Sequence, residues 1–217
     1  LLKIKVINLT LFKLYYMSVS SQYFWSFPSA LTPKFCDEVI KYSKYAKDQK
    51  ASVGHPQVQY KRKSNIVWLN DEWVYKEIVP YVNIANKSAG WNFDIDYHES
   101  IQFTKYKKNQ FYDWHCDSFG KPFDKPKDLN FHNKIRKLSV TCQLTDGSEY
   151  EGGELQFDYR DYDPHLREES KHVTTVKEIL PKGSIIVFPS YVWHRVQPVT
   201  KGTRYSLVMW NLGYPFK

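Results

Sequence analysis

The chain has 217 residues, of which 42% are hydrophobic and 17% aromatic. This length fits one domain, and this composition is that of a folded globular chain, which excludes intrinsic disorder. The formal net charge of +8 belongs to residues 1–70, which carry 11 Lys/Arg and 3 Asp/Glu, whereas residues 71–217 carry 20 of each.

The basic first third is interpreted as a solvated lysine-rich face. The alternative, which we do not favour, is a surface for nucleic acid or another acidic partner. The apolar stretch 1–16 is interrupted by Lys3, Lys5 and Lys13 and has no small-residue cleavage site, so we do not interpret it as a signal peptide. Because Met17 is a plausible start, residues 1–16 are treated as an upstream extension and residues 17–217 as a single domain.

The three cysteines form no Cys-x-x-Cys pair and no even-numbered framework. Free thiols, a reducing compartment and a cytoplasmic location are therefore expected. No apolar run is long enough to span a bilayer, so no membrane association is expected.

Two helices are predicted first along the chain. Thr32 followed by Pro33 is typical of an N-cap and first helical position, which predicts a helix over 33–48. Asn70 or Asp71 begins a second helix over 71–88, which Pro80 should kink or divide. The helical part thus covers about 30–90, and within it the basic run 61–63 is interpreted as a solvated turn, with a substrate-facing basic patch as the alternative.

From about residue 93 the sequence changes to short strands separated by turn residues. Strands are predicted at 99–107, 111–117, 136–145, 153–159, 172–179, 184–188, 192–197 and 203–211. The polar stretches 119–134 and 160–170 are predicted to be long loops. The resulting fold class is α+β but mainly β, a two-sheet jelly roll (double-stranded β-helix) over about 93–212 with the N-terminal helices packed on one sheet.

One short stretch carries candidate metal ligands. In a strand, residues two apart point to the same face, so His115 and Asp117 should project together while Cys116 turns away. One imidazole and one carboxylate are two of the three ligands of a 2-His-1-carboxylate iron(II) site. The alternative is a chance His-x-Asp on a surface strand.

A third ligand and an anion-binding group follow later in the chain. His194 lies in a predicted late strand, and ten residues further Arg204 and Ser206 share one face of the last long strand. A planar guanidinium can bind the far carboxylate of a dicarboxylate bidentately. The alternatives are a core histidine bonded to backbone and an ordinary salt-bridge arginine.

These motifs together resemble the 2-oxoglutarate/iron(II)-dependent oxygenase superfamily, and within it the prolyl-4-hydroxylase-like branch, especially the PKHD-type hydroxylases of bacteria and phages. The resemblance covers roughly 99–211 and includes the stretches 136–144, 150–155 (Tyr-Glu-Gly-Gly-Glu-Leu) and 183–196. Collagen-type prolyl hydroxylases carry Lys where this chain has Arg204, which weakens any transfer of a collagen-like substrate.

The resemblance implies that His115, Asp117 and His194 hold Fe(2+) and that Arg204 binds the distal carboxylate of 2-oxoglutarate. O2 would be the co-substrate and ascorbate the reductant, and decarboxylation to succinate would be coupled to hydroxylation of a C–H bond. Relatives that halogenate lack the carboxylate, so Asp117 favours hydroxylation. Tyr106, nine residues before His115, is expected to donate a hydrogen bond to 2-oxoglutarate, as comparable tyrosines do in the family.

Two further residues are candidates for the cosubstrate pocket. Ser206 shares the face of Arg204 and could contact the same carboxylate. Gln143 lies on a strand with a polar face, together with Ser139 and Thr141. That face either lines the pocket or faces solvent.

The substrate is unknown from sequence, and a peptidyl prolyl or other protein side chain is favoured over a small molecule or a nucleobase. The other function classes left open are a non-catalytic jelly-roll binding module and a zinc hydrolase. The loops 50–64, 118–135 and 160–171 are expected to shape the entrance, because specificity usually lies on loops around a rigid scaffold. The oligomeric state is not predicted.

Overall fold

The computed structural model describes residues 23–45, 49–50, 61–118, 120–159 and 172–216. The predictions for residues 1–16 and for the loop 160–170 lie outside these ranges. Two α-helices are present in the described part, α1 (Pro33–Tyr45) and α2 (Glu72–Ser88).

The rest of the described chain is mostly strands. They are β1 (Trp25–Phe27), β2 (Gln49–Lys50), β3 (Arg62–Lys63), β4 (Asn65–Leu69), β5 (Tyr97–His98), β6 (Ile101–Tyr106), β7 (Phe111–His115), β8 (Ile135–Gln143), β9 (Tyr150–Gly152), β10 (Leu155–Asp158), β11 (Val173–Thr175), β12 (Ile185–Pro189), β13 (Trp193–Val196), β14 (Val199–Gly202) and β15 (Arg204–Gly213).

The strands form two facing sheets, and every pairing among the described strands is antiparallel. The large sheet has the order β1-β12-β8-β15-β6-β4-β2, with β5 beside the end of β15, and the small sheet has the order β11-β10-β13-β7-β3. A separate ribbon joins β14 to β9. This arrangement is the predicted double-stranded β-helix.

Both helices pack on the outer face of the large sheet, as predicted. Val39 of α1 and Ile78 and Val82 of α2 are fully buried against apolar residues of the large sheet such as Val140 and Leu207. Burial of this apolar surface provides the main driving force for folding, at about 25 cal/mol per Å². The opposite face of the large sheet therefore faces the space between the two sheets.

The helix boundaries largely follow the predicted capping residues. The Thr32 hydroxyl accepts a hydrogen bond from the Phe35 N–H at 3.1 Å, as an N-cap should. The second helix begins after Asp71, whose carboxylate instead accepts from the Tyr42 hydroxyl at 2.9 Å. The prediction that Pro80 divides this helix is wrong, because α2 continues through it to Ser88.

Several predicted strand ends differ from those observed. The predicted strand 111–117 ends at His115, and 172–179 contains only β11 followed by a 3₁₀ turn at Lys177–Ile179. The strand β4 was missed inside the predicted helical part. Its Val67 and Leu69 are buried while Trp68 is exposed, and it pairs with β6 in the large sheet, so tertiary pairing decided its conformation.

No helix among the described residues is long and apolar enough to cross a membrane. The cysteines Cys36, Cys116 and Cys142 are buried, and no disulfide joins them in the described part of the chain. The cytoplasmic location stays a prediction.

We predict that Gly183→Ala lowers the free energy of unfolding by about 3 kcal/mol or more. Gly183 has a positive φ of 82°, and an added Cβ would lie 2.0 Å from the carbonyl oxygen of Leu31, so both the backbone and the packing of α1 would have to shift. Gly90→Ala is the matched control, since φ is 72° but no atom lies within 4 Å of the added Cβ. It should cost about 1 kcal/mol in the same denaturant titration. Equal losses would contradict the assigned steric role of Gly183.

Candidate active site

The two candidate histidines are direct neighbours across the small sheet. His115 ends β7 and is paired in register with His194 of β13. The centroids of their rings are 4.1 Å apart. Antiparallel pairing therefore brings together two residues that are 79 positions apart in sequence.

Asp117 completes the group, but not by the predicted route. It lies beyond the end of β7, so the same-face argument for a continuous strand does not hold for it. Its N–H donates to the Ser190 carbonyl at 2.9 Å, and its Oδ2 accepts from the Ser139 hydroxyl at 2.7 Å. Ser139 and Ser190 are themselves bonded at 2.9 Å, so the carboxylate is fixed by the β8 strand and the turn after β12.

The three side chains present their ligand atoms to one point. His115 Nε2 lies 3.9 Å from Asp117 Oδ1, and His194 Nε2 lies 3.6 Å from Asp117 Oδ2. One ligand atom from each residue lies within 4.8 Å of the other two. This donor set, two imidazoles and one carboxylate, fits iron(II).

The orientation of both imidazoles is set by the backbone. His115 Nδ1 contacts the Asp113 carbonyl at 2.7 Å, and His194 Nδ1 contacts the Val192 carbonyl at 2.9 Å. A carbonyl oxygen can only accept, so each Nδ1 carries the proton and each Nε2 keeps its lone pair. Both lone pairs are therefore directed to the common point.

The electrostatic environment favours the protonation states that a metal needs. Burial, together with the neighbouring His194, holds the pKa of His115 well below its usual range, so this imidazole is neutral. Burial raises the pKa of Asp117. The neighbouring groups, which are His194, His115, Arg136 and the Ser139 hydroxyl, lower it by more, so the net shift of the pKa is downward. A neutral imidazole and an ionised carboxylate can bind a cation without first losing a proton.

An uncommitted guanidinium lies in the same pocket. Arg204 begins β15, is only 1% exposed, and lines one pocket with the three candidate metal ligands. Within the described residues its Nε and Nη2 have no hydrogen-bond partner. Buried N–H donors of a cation are costly to leave unpaired, so these two nitrogens fit an anionic group of a bound molecule.

The other predicted cosubstrate residues surround Arg204. Tyr106 is paired with it across β6 and β15, and Ser206 is the next residue on the same face. Both line the pocket, whose apolar wall is formed by Leu155, Phe188, Val196 and Val208. The large sheet thus supplies the residues predicted for the cosubstrate and the small sheet supplies the two histidines.

Gln143 lies beside the predicted cosubstrate residues. It is buried and lies beside Ser206, so the face it shares with Ser139 and Thr141 is interior and not solvent-facing. However, it is absent from the residues that line the pocket, and its amide donates to the Tyr150 hydroxyl at 2.8 Å. Its Oε1 has no hydrogen-bond partner among the described residues, and its contact with 2-oxoglutarate stays a prediction.

Sequence reasoning missed two aromatic contacts beside the candidate metal ligands. Tyr112 stacks on the His115 ring with a centroid distance of 3.5 Å, and the Arg62 guanidinium lies over the Tyr112 ring at 4.5 Å. Arg62 is buried and bonds Ser64 and Gln102, so the interpretation of 61–63 as a solvated turn is wrong for this residue. The apolar run that follows at 66–69 was the only sequence signal that this basic stretch begins a buried strand pair.

Comparison with known proteins agrees with this geometry. The model of the 2OG-Fe(II) oxygenase superfamily matches residues 101–211, just over half of the chain. A PKHD-type hydroxylase of Synechococcus sp. (strain CC9902) is 37% identical over 115 residues, which are 53% of this chain and 42% of that protein. The match therefore spans about two fifths of the length of this relative.

Solved structures show the same fold. A Pseudomonas putida prolyl-4-hydroxylase has a TM-score of 0.62 and 17% identity, covering 90% of this chain and 98% of that one. The viral collagen prolyl hydroxylase of Paramecium bursaria Chlorella virus-1, solved as a 2OG complex, has a TM-score of 0.59 and 21% identity, covering 88% and 96%. At these identities the likeness establishes the double-stranded β-helix.

We predict that Ser139→Ala weakens the binding of iron(II) roughly tenfold, because Asp117 loses the hydroxyl that fixes its carboxylate. Anaerobic calorimetric titration with iron(II) measures this affinity. Ser43→Ala is the matched control, since Ser43 is equally buried but its hydroxyl has no partner in the described part of the chain. An equal effect in both variants would show that Ser139 does not act through Asp117.

Proposed function

Because the chain belongs to the 2OG-Fe(II) oxygenase superfamily, we propose that it is an iron(II)- and 2-oxoglutarate-dependent dioxygenase that hydroxylates a C–H bond. The observation that carries this proposal is the convergence of the His115, Asp117 and His194 ligand atoms in a pocket that also contains the uncommitted guanidinium of Arg204. The pocket therefore offers ligand atoms for a metal ion and N–H donors for a carboxylate.

The candidate site residues have distinct roles in this proposal. His115, Asp117 and His194 would hold Fe(2+) through two imidazole nitrogens and one carboxylate oxygen. Arg204 binds the distal carboxylate of 2-oxoglutarate, and Tyr106 and Ser206 donate hydrogen bonds to the same molecule. With iron bound, 2-oxoglutarate and O2 supply the oxidant, and one oxygen atom goes to the substrate and the other to succinate as CO2 is released.

The protein contributes orientation and exclusion of water. The pocket walls are mainly apolar, and Tyr112, Phe188 and Trp210 add aromatic faces to them. Such walls keep bulk water from a reactive metal centre and strengthen the electrostatic contacts inside. Ascorbate is the proposed reductant that restores iron(II) after an uncoupled turnover.

The proposed substrate is a peptidyl prolyl residue or another protein side chain. Prolyl hydroxylases among the solved structures that share the fold support this choice. Hydroxylation of a small molecule or a nucleobase is the alternative that product analysis would reveal. The three buried cysteines, which no disulfide joins in the described part of the chain, fit a reducing compartment, which we propose to be the cytoplasm.

We predict that iron(II) and 2-oxoglutarate together give a weak visible charge-transfer band under anaerobic conditions, and that oxygen bleaches it while succinate appears. His115→Ala and Asp117→Ala should each abolish the band, because each removes a ligand. Cys116→Ala, between them, is the control and should retain it. A protein that binds 2-oxoglutarate without the band or succinate would be a binding module, and retention of the band in Asp117→Ala would contradict the assigned metal site.

We predict that Arg204→Met raises the dissociation constant of 2-oxoglutarate roughly 10- to 100-fold while iron(II) affinity is unchanged, because a charged hydrogen-bonding pair is lost. Arg204→Lys should restore part of the affinity, since it keeps the charge but loses the bidentate geometry. Both constants are measured by anaerobic titration of the band. An unchanged 2-oxoglutarate constant in Arg204→Met would exclude the assigned role.

A further inference from the structure

A second groove lies beside the catalytic pocket, lined by Trp68, Phe123, Lys125, Phe131 and Arg136 among others. It combines β4, the start of β8 and the long loop between β7 and β8. The tilted pair Trp68 and Trp210 joins it to the catalytic pocket, with ring centroids 6.2 Å apart, and Trp210 lines that pocket. A chain that enters the pocket can therefore continue along the groove.

The loop that forms one wall of the groove is held by its own backbone hydrogen bonds. The Phe123 N–H donates to the Lys134 carbonyl and the Asn133 N–H donates to the Phe123 carbonyl, both at 2.9 Å. Phe131 packs edge-on against Phe123 and against Tyr97, with centroid distances of 5.5 Å in both pairs. The groove is thus a preformed aromatic surface, which lowers the entropic cost of binding to it.

The charges of the groove leave one cation unmatched. Arg136 is neutralised by a bidentate pair with Glu99, at 2.6 and 2.7 Å. Lys125 has no carboxylate within ion-pair distance among the described residues, and its ammonium lies over the Phe131 ring at 4.0 Å and the Phe123 ring at 5.4 Å. The nearby Asp124 is instead close to His132, at 4.0 Å.

We propose that this groove is a substrate subsite that binds an acidic side chain of the peptide whose reacting residue lies at the iron site. The inference rests on the proposed function for the position of the reacting residue. The aromatic faces of Trp68, Phe123 and Phe131 take the apolar part of the flanking chain, and Lys125 pairs with its carboxylate. Complementary charge at such a position gives specificity more than raw affinity.

The test uses short alanine-glycine peptides with one central proline, in which a single Glu is moved through successive flanking positions, and a matched set with Lys. Calorimetry is performed on the enzyme with iron(II) and 2-oxoglutarate under anaerobic conditions. At one position the Glu peptide should bind roughly three- to tenfold more tightly than its Lys counterpart, and the difference should shrink in high salt.

Substitutions of Lys125 test whether the preference for the Glu peptide arises in the groove. Lys125→Met should remove the preference, and Lys125→Glu should reverse it towards the Lys peptide. Lys127→Met is the matched control, because it removes an exposed lysine of the same loop that does not line the groove. The charge-transfer band should be the same in all four proteins, since Lys125 contacts neither metal ligand nor Arg204.

Three outcomes would overturn the subsite. They are no peptide preference at any position, equal effects of Lys125→Met and Lys127→Met, or binding of a short oligothymidylate that depends on Lys125 and competes with the peptides. Repeating the calorimetry without iron and 2-oxoglutarate measures peptide binding by the groove alone. It separates the proposal of the peptide subsite from the proposal of the dioxygenase activity. A Lys125-dependent preference in a protein that never forms the band would retain the groove and remove the dioxygenase.

Discussion

The antiparallel pairing of β7 with β13 is the constraint on which the site depends. It places His115 opposite His194, and each Nδ1 faces the backbone carbonyl two residues earlier, that of Asp113 or Val192. The Nε2 atoms, which are the candidate metal ligands, therefore point to one place because these hydrogen bonds hold both rings in a fixed orientation. Asp117 is then carried to the same point by the turn that follows β7 and is fixed there by Ser139 of the opposite sheet.

The large sheet has a complementary task. Its register sets Arg204 beside Tyr106 and sets Ser206 beside Gln143, so the predicted cosubstrate groups come from neighbouring strands. Packing of α1 and α2 on the outer face leaves the inner face for the pocket. Burial of the Arg204 charge costs desolvation free energy, which the stability of this framework compensates. Binding of a carboxylate would offset that cost.

Much of the site could be predicted because its residues have chemically distinctive types at strand-like spacing. His115, His194, Tyr106, Arg204 and Ser206 all lie in strands whose alternation is visible in the sequence. Prediction failed where contacts distant in sequence decided the outcome. The end of β7 before Asp117 follows from the hydrogen bond to Ser190, and the burial of Arg62 follows from its contacts with Gln102 and Tyr112.

The sequence by itself determined the helices-then-strands order and the identities of the candidate metal ligands and of the candidate carboxylate-binding arginine, because these depend on local periodicity and residue chemistry. Only the tertiary structure decided which ligands meet, how the Asp117 carboxylate is held and that Arg62 and the groove at Lys125 adjoin the site. The reason is that strand register and loop packing depend on contacts between residues far apart in the chain, which no local pattern records.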